Sequence, residues 1–270
     1  VTAPATPESI DSARRIVVKV GSSSISGDRA GQLGPLVDAL AAAHGRGVEI
    51  VLVSSGAIAT GMPYLRLRER PTDLAVQQAA AAVGQSLLIK RYQERLDGFG
   101  ITAGQVLLTA SDVDNPTHRR NAERAIETLL SLRILPIVNE NDTVATHEIR
   151  FGDNDRLAAL VARLLHADLL VLLSDVDALY TRPPAEPGAV RIPFVAAGDP
   201  LTEVLVTETN TGVGTGGAAT KLAAARMAAD HGIAVLLTAT ERVQPALAGE
   251  RVGTWFEPTR IAAPAGEHAP

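Results

Sequence analysis

Only three lysines stand in this chain, at positions 19, 90 and 221, against 22 arginines. A lysine is a compact point charge and an arginine a broad planar fork, so arginine does not replace lysine well where a localised charge is needed. In a chain biased this far toward arginine, each surviving lysine is a candidate for such a site. Lys19 lies in Val17-Val18-Lys19-Val20, an otherwise apolar run where an ammonium is costly without a partner. Gly21-Ser22-Ser23-Ser24 follows, and small residues of this kind leave backbone N–H groups open to an anion. A lysine snorkelling from a strand end gives the same pattern. Lys221 closes Gly214-Thr215-Gly216-Gly217-Ala218-Ala219-Thr220-Lys221, which has the composition of a phosphate cradle ahead of a helix. Neither run has the spacing of a Walker A loop or of G-x-G-x-x-G. Lys90, in KRYQER, reads as a surface residue.

Three further stretches carry polar groups in suggestive places. Val53-Ser54-Ser55-Gly56-Ala57 runs from an apolar segment into a helix start, where an anion is favoured, although a capped tight turn reads alike. Asn139-Glu140-Asn141-Asp142 and, a little further on, Asp153-Asn154-Asp155 concentrate carboxylates and carboxamides after another apolar segment. A helix cap needs only one of them. The rest suit a polar pocket in which Asp142 holds a ligand ammonium, Asn154 bonds a polar ligand and Asp155 orients a cation. Ser174 and Asp175 end a fifth apolar run and could face a nucleotide or form a local turn.

The elements that must position these residues alternate. Nearly continuous apolar runs over 16–20, 48–53, 101–108, 134–138, 169–173 and 233–237 read as strands buried on both faces. Helix-like segments over 32–44, 72–96, 117–132, 155–165 and 220–230 separate them. This rhythm predicts an α/β fold, a three-layer α/β/α sandwich with a mainly parallel central sheet. In such sheets ligands bind beyond the carboxyl ends of the strands, where the polar stretches after residues 20, 53, 138 and 173 fall, while the Gly214–Lys221 stretch leads into a helix. Residues 180–211, rich in proline and glycine, break the rhythm and read as a loop and short-strand insertion over one end of the sheet. One domain is expected over 1–256, with 257–270 as a flexible tail.

Composition excludes several classes. With 46% apolar and 20% charged residues the chain can pack a core. A net charge of −5 disfavours a nucleic-acid binder, and no nucleic-acid partner is expected. The absence of cysteine removes disulfides, thiolate nucleophiles and cysteine-ligated zinc. No apolar run reaches membrane-spanning length, and VTAPATPESIDSARR carries no apolar segment of a secretory signal. A soluble cytoplasmic protein is the expectation.

Together VVKVGSSSIS, VSSGAIATG, QQAAAAVGQ, GQVLLT, VNENDTVATHEIRFGDND, LLSDVDALY and GTGGAATKLAAA resemble the amino acid kinase family. NEND followed by GDND points within it to the branch that phosphorylates glutamate. The resemblance covers about residues 16–256. It implies ATP-dependent phosphorylation of the L-glutamate side-chain carboxylate, the first step toward proline. It also implies that Lys19 and Lys221 contact the phosphates and that Asp155 organises them. By the same resemblance Ser55, Gly56, Ala57, Asn139, Asp142, Asp153 and Asn154 hold the amino acid, with Asp142 expected on the α-ammonium and Asn154 on the α-carboxyl. Lys19, Gly21, Ser22, Ser174, Asp175, Thr215, Gly216, Gly217, Ala218, Ala219, Thr220 and Lys221 bind ATP. Mg²⁺ would ride on the ATP oxygens, with no protein metal site assigned. A homo-oligomer, feedback inhibition by proline and a glutamyl-phosphate reductase partner are further implications. Ala218, Ala178 and Arg182-Pro183 depart from the family's usual Met, Gly and Asp-Pro. Many bacterial members carry a C-terminal PUA domain, which this chain is expected to lack. Two other readings compete: a relative acting on another acidic substrate in specialised metabolism, and a non-catalytic amino-acid-sensing module. Retention of both lysines and Asp155 speaks against the second.

Overall fold

All six apolar runs become neighbouring strands of one sheet in the computed structural model, which describes residues 6–144, 154–202, 204 and 217–260. They are β1 (Arg15–Val20), β2 (Glu49–Val53), β3 (Ala103–Leu108), β4 (Leu135–Glu140), β5 (Leu169–Ser174) and, after three short strands, β9 (Ala234–Ala239). The short strands are β6 (Leu179–Tyr180), β7 (Arg191–Ile192) and β8 (Phe194–Val195), and β10 (Thr254–Phe256) closes the series. The order across the sheet is β3-β4-β2-β1-β5-β9-β10-β8. Every pair from β3 to β9 is parallel; β10 is antiparallel to β9 and parallel to β8, so these last two strands run against the rest.

The connections are α1 (Leu33–Gly45), α2 (Ala57–Gly61), α3 (Leu74–Leu96), α4 (Ala110–Asp114), α5 (Pro116–Ser131), α6 (Asn154–Leu164), α7 (Ala218–Ala229) and α8 (Val243–Leu247). Strand side chains alternate between faces, and the core divides accordingly. Ile16, Val18 and Val20 pack with Leu36 and Leu40 of α1, Leu88 and Tyr92 of α3, and Val243 of α8. Val17 packs in the other layer, with Ile126 of α5, Leu157 and Val161 of α6, and Ala225 of α7. The three-layer α/β/α arrangement follows. So does the aim of Lys19: two residues beyond Val17, it leaves the strand on the α6 and α7 side.

The 180–211 insertion is partly strand. β6 and β7 form an antiparallel ribbon, while β8 extends the main sheet beside β10. Residues 257–260, assigned in sequence to the tail, are anchored: the Glu257 N–H donates to the Val195 carbonyl and the Thr259 N–H to that of Ala229, both at 2.9 Å. Among the described residues no helix is long and apolar enough to cross a membrane.

Candidate active site

The carboxyl ends of β1, β2, β4 and β5 lie side by side, and the polar stretches gather there. Asp155, in the first turn of α6, is fully buried and pairs with both candidate lysines. One carboxylate oxygen meets the Lys19 ammonium; the other lies 3.1 Å from that of Lys221, on α7. Thr220 reaches the second oxygen at 3.4 Å and bonds the Gly217 carbonyl at 2.9 Å. Two ammoniums share one carboxylate, so the trio keeps one net positive charge in a place from which water is largely excluded. There it attracts an anion more strongly than a surface lysine would. Lys90 is the contrast: its side chain is 71% exposed and faces Glu94 at 3.6 Å.

The glycine-serine loop after β1 closes around this charge. A methyl on Gly21 would sit 3.8 Å from the Lys19 ammonium nitrogen. The loop also touches the one after β2: a methyl on Gly56, whose φ is +98°, would come within 3.3 Å of the Ser22 β-carbon. Ala57 begins α2, and α2 crosses α3 with backbone against backbone. A methyl on Gly84 would fall 1.8 Å from the Ala57 carbonyl oxygen, and one on Gly61 1.9 Å from that of Ala80. These two glycines let α3 come up directly beneath the Ser55-Gly56-Ala57 turn.

Beside the charged trio lies a carboxamide cluster. The Asn154 amide nitrogen has three acceptors: the Ser54 carbonyl at 2.8 Å, the Ser55 hydroxyl at 2.9 Å and the Asn139 side-chain oxygen at 2.9 Å. Its own side-chain oxygen is buried and has no hydrogen-bond partner. The expectation that Asn154 bonds an α-carboxyl needs its N–H, but that nitrogen is taken up by three acceptors; the open atom is an acceptor, suited to a ligand N–H. Asn139 is buried, accepts from the Glu140 N–H at 2.9 Å and donates to Gln85 at 3.2 Å. Asp142 is half-buried in the turn after β4.

The nucleotide-binding candidates are more scattered. Ser174 is buried at the end of β5, where its carbonyl accepts from Thr240 at 3.2 Å and its hydroxyl donates to the exposed Asp175 at 3.1 Å. Gly217, Ala218 and Ala219 open α7. Asp153, Thr215 and Gly216 lie outside the described residues. Ala178 is buried ahead of β6 without a positive φ, so the methyl that replaces the family's usual glycine needs no strained backbone. Arg182 lies in the connection between β6 and β7; its Nε is buried without a hydrogen-bond partner.

Sequence reading missed the support behind the pocket. Gln85 of α3 donates to the Glu140 carbonyl at 3.1 Å and accepts from Asn139 and from Gln105. Tyr92, fully buried on the same helix, meets the Ser54 hydroxyl at 2.9 Å; burial pushes its phenol above the ordinary value against the pull of that bond, keeping it protonated. A glutamine at 85 and a tyrosine at 92 within an otherwise alanine- and leucine-rich helix was the available signal.

A parallel α/β sandwich with two lysines on one buried carboxylate at the strand ends defines a class of phosphoryl-transfer protein. The model of the amino acid kinase family matches residues 14–239, and the chain belongs to that family. Among curated relatives it is 75% identical to a glutamate 5-kinase of Clavibacter michiganensis subsp. michiganensis, over 92% of this chain and 96% of that protein. It is 73% identical to the glutamate 5-kinase of Leifsonia xyli subsp. xyli over 93% of each. A glutamate 5-kinase of Streptomyces avermitilis is longer: at 55% identity the match covers 93% of this chain and 69% of that protein. Among solved structures, a carbamate kinase from Giardia lamblia bound to AMP-PNP superposes with a TM-score of 0.67 at 14% identity, over 92% of this chain and 99% of that one. A uridylate kinase from Archaeoglobus fulgidus gives 0.59 at 17%, over 89% and 99%. At those identities the likeness is one of fold.

Proposed function

We propose that this protein transfers the terminal phosphoryl group of ATP to the side-chain carboxylate of L-glutamate, giving γ-glutamyl phosphate and ADP on the way to proline. The observation that carries it is the Lys19–Asp155–Lys221 trio set against an amide-lined pocket, in a chain about three-quarters identical to glutamate 5-kinases.

The chemistry asks for charge rather than for a base. A glutamate side chain has an ordinary pKa of about 4.3, so the nucleophile is already ionised at neutral pH. Its oxygen attacks the γ-phosphorus, the bond from phosphorus to the bridging oxygen breaks, and ADP leaves with that electron pair. The obstacle is an anion approaching a polyanion, and phosphoryl transfer is mainly positioning and charge stabilisation. Lys19 and Lys221 meet the moving phosphoryl group, and Asp155 holds both ammoniums in place. Asp142 and the Asn154 side-chain oxygen face the α-ammonium. The start of α6, the positive end of its dipole, suits the α-carboxylate. The described residues hold no cluster of three metal-ligating side chains, and Asp155 is taken up by two ammoniums. Mg²⁺ would come with ATP, on its phosphate oxygens, and neutralise charge there.

Proline shares the α-carboxylate and ring ammonium of this subsite but lacks the reacting carboxylate, so it fits as a competitive inhibitor. Homo-oligomerisation and hand-over of the labile product to a reductase complete the reading.

Acyl phosphate trapped as hydroxamate tests it, with MgATP and glutamate compared with aspartate, N-acetylglutamate and 2-aminoadipate. Glutamate gives the strongest signal. A signal from another acid alone reassigns the substrate, and none from any acid sinks the kinase reading.

A further inference from the structure

The Asn154 amide must choose which end to present, and its orientation is read by neighbours that cannot be mistaken for one another. The Ser54 carbonyl only accepts, so it fixes the Asn154 nitrogen toward itself. The Glu140 N–H only donates, so it fixes the Asn139 oxygen toward itself, and that oxygen also receives the Asn154 nitrogen. The Asn139 nitrogen must then find an acceptor, and Gln85 supplies it. Gln85 is in turn fixed by donating to the Glu140 carbonyl at 3.1 Å. Three carboxamides in series are thus held in one sense, and the series ends on the buried, unpartnered Asn154 oxygen.

We propose that Gln85 is a positioning residue that sets the preference of the site for an amino acid over the same diacid without its ammonium. It never needs to touch the ligand. Of the four groups that hold the Asn139–Asn154 pair, two are backbone, the Ser55 hydroxyl can donate or accept and so sets no sense, and Gln85 is the side chain that does. Without it the Asn139 nitrogen is left buried and unpaired. The Glu140 and Ser54 backbone groups still oppose a full turn of either amide, so the pair shifts to relieve the loss and carries the open Asn154 oxygen off its line to the ligand. A misaimed acceptor weakens the hold on an ammonium and leaves an uncharged methylene unaffected. This rests on the reading that the pocket holds the α-ammonium of glutamate.

The test is the ratio of dissociation constants for glutarate and L-glutamate, measured by calorimetry on the whole protein, with kcat and both KM values alongside. Gln85→Met keeps the shape and removes every polar atom. It should lower the ratio about 5–10-fold through weaker glutamate binding. The glutarate constant and the KM for ATP should stay near wild type. Tyr92→Phe is the matched control: it takes one buried bond from the same helix, and the ratio should hold even if the melting temperature falls. An unchanged ratio in Gln85→Met, or an equal fall in both variants, overturns the proposal. Failure of the functional reading looks different: wild type then binds glutamate without making acyl phosphate, or does not bind it.

Discussion

Two ionic clusters sit at opposite ends of β1, on the same face and four residues apart, and they are built with opposite stoichiometry. At the amino end Arg15 is shared between two carboxylates. Its guanidinium meets Glu127 at 2.6 and 2.9 Å and Glu49 at 2.8 Å, and it also bonds the Leu165 carbonyl. Asp168 caps the same end, accepting from the Arg14 and Arg15 N–H groups at 2.8 and 2.9 Å. At the carboxyl end the count is reversed, with two cations on one carboxylate. The first cluster ties β1 to β2, α5 and the end of α6, and its positive charge is more than neutralised. The second sets two ammoniums on one carboxylate, all three almost wholly buried, an arrangement costly for stability and, on the proposed reading, suited to a phosphoryl group. The residue types match the tasks: a planar fork where several fixed acceptors must be joined, a point charge where the anion moves.

Removing Asp155 should have the largest effect. Asp155→Ala leaves Lys19 buried without its carboxylate, a loss of about 3–5 kcal/mol in unfolding free energy by denaturant titration. Hydroxamate formation should fall to background with it. Lys19→Arg separates charge from shape: kcat should drop about 10²–10³-fold, the scale of losing one transition-state donor, while the folded protein persists. Near-normal turnover in that variant would defeat the point-charge argument. Next comes Gly84→Ala, which drives a methyl into the Ala57 carbonyl. Overpacking of this kind costs about 1–3 kcal/mol, and here it should also raise the KM for glutamate by moving the Ser55 turn. Arg15→Ala belongs below it. Exposed ion pairs contribute roughly 0.2–1 kcal/mol each, so the loss should be about 1–2 kcal/mol for these half-exposed contacts, with kcat and KM unchanged. A kinetic defect in Arg15→Ala as large as that in Lys19→Arg would show that the two ends are not separate devices.

The smallest effect concerns a third ionic contact, at Asp112 in α4. Burial raises this carboxyl's pKa, but hydrogen bonds from Thr109 and His118 and the charge of His118 outweigh it and hold it below the ordinary value. A carboxyl depressed in the folded state adds stability above its unfolded pKa of about 3.9 and loses it as pH falls through the lower folded value. Asp112→Asn should therefore flatten the decline in unfolding free energy on the acid side of about pH 4, with no change at pH 7 in the shape of the curve. A decline as steep as wild type would remove Asp112 from the account.

Local pattern carried the reading a long way. Continuous apolar runs mark strands buried on both faces, and all six were correctly placed because that signal needs only neighbouring residues. The short pieces were not legible. β10 and the β6–β7 ribbon have two or three residues each, too few for any period; β10 forms because β9 offers it an edge, and β6 and β7 because they meet each other. Lys90 was separable from Lys19 and Lys221 because charged neighbours differ from apolar or glycine-rich ones.

Residue type and order were enough to single out two lysines, the Asn139-to-Asp155 stretch and a parallel sheet with its chemistry at one end. Those are local properties of a chain, and strand alternation converts them into a facing direction. Tertiary structure alone decided that Lys19 and Lys221, two hundred residues apart, would share Asp155. It alone decided that Gly61 and Gly84 would bring α3 up under the serine turn, and that Asn154 would be left with an open acceptor rather than an open donor. The reason is physical: an amide carries both signs, and only its assembled neighbours choose which one faces the ligand.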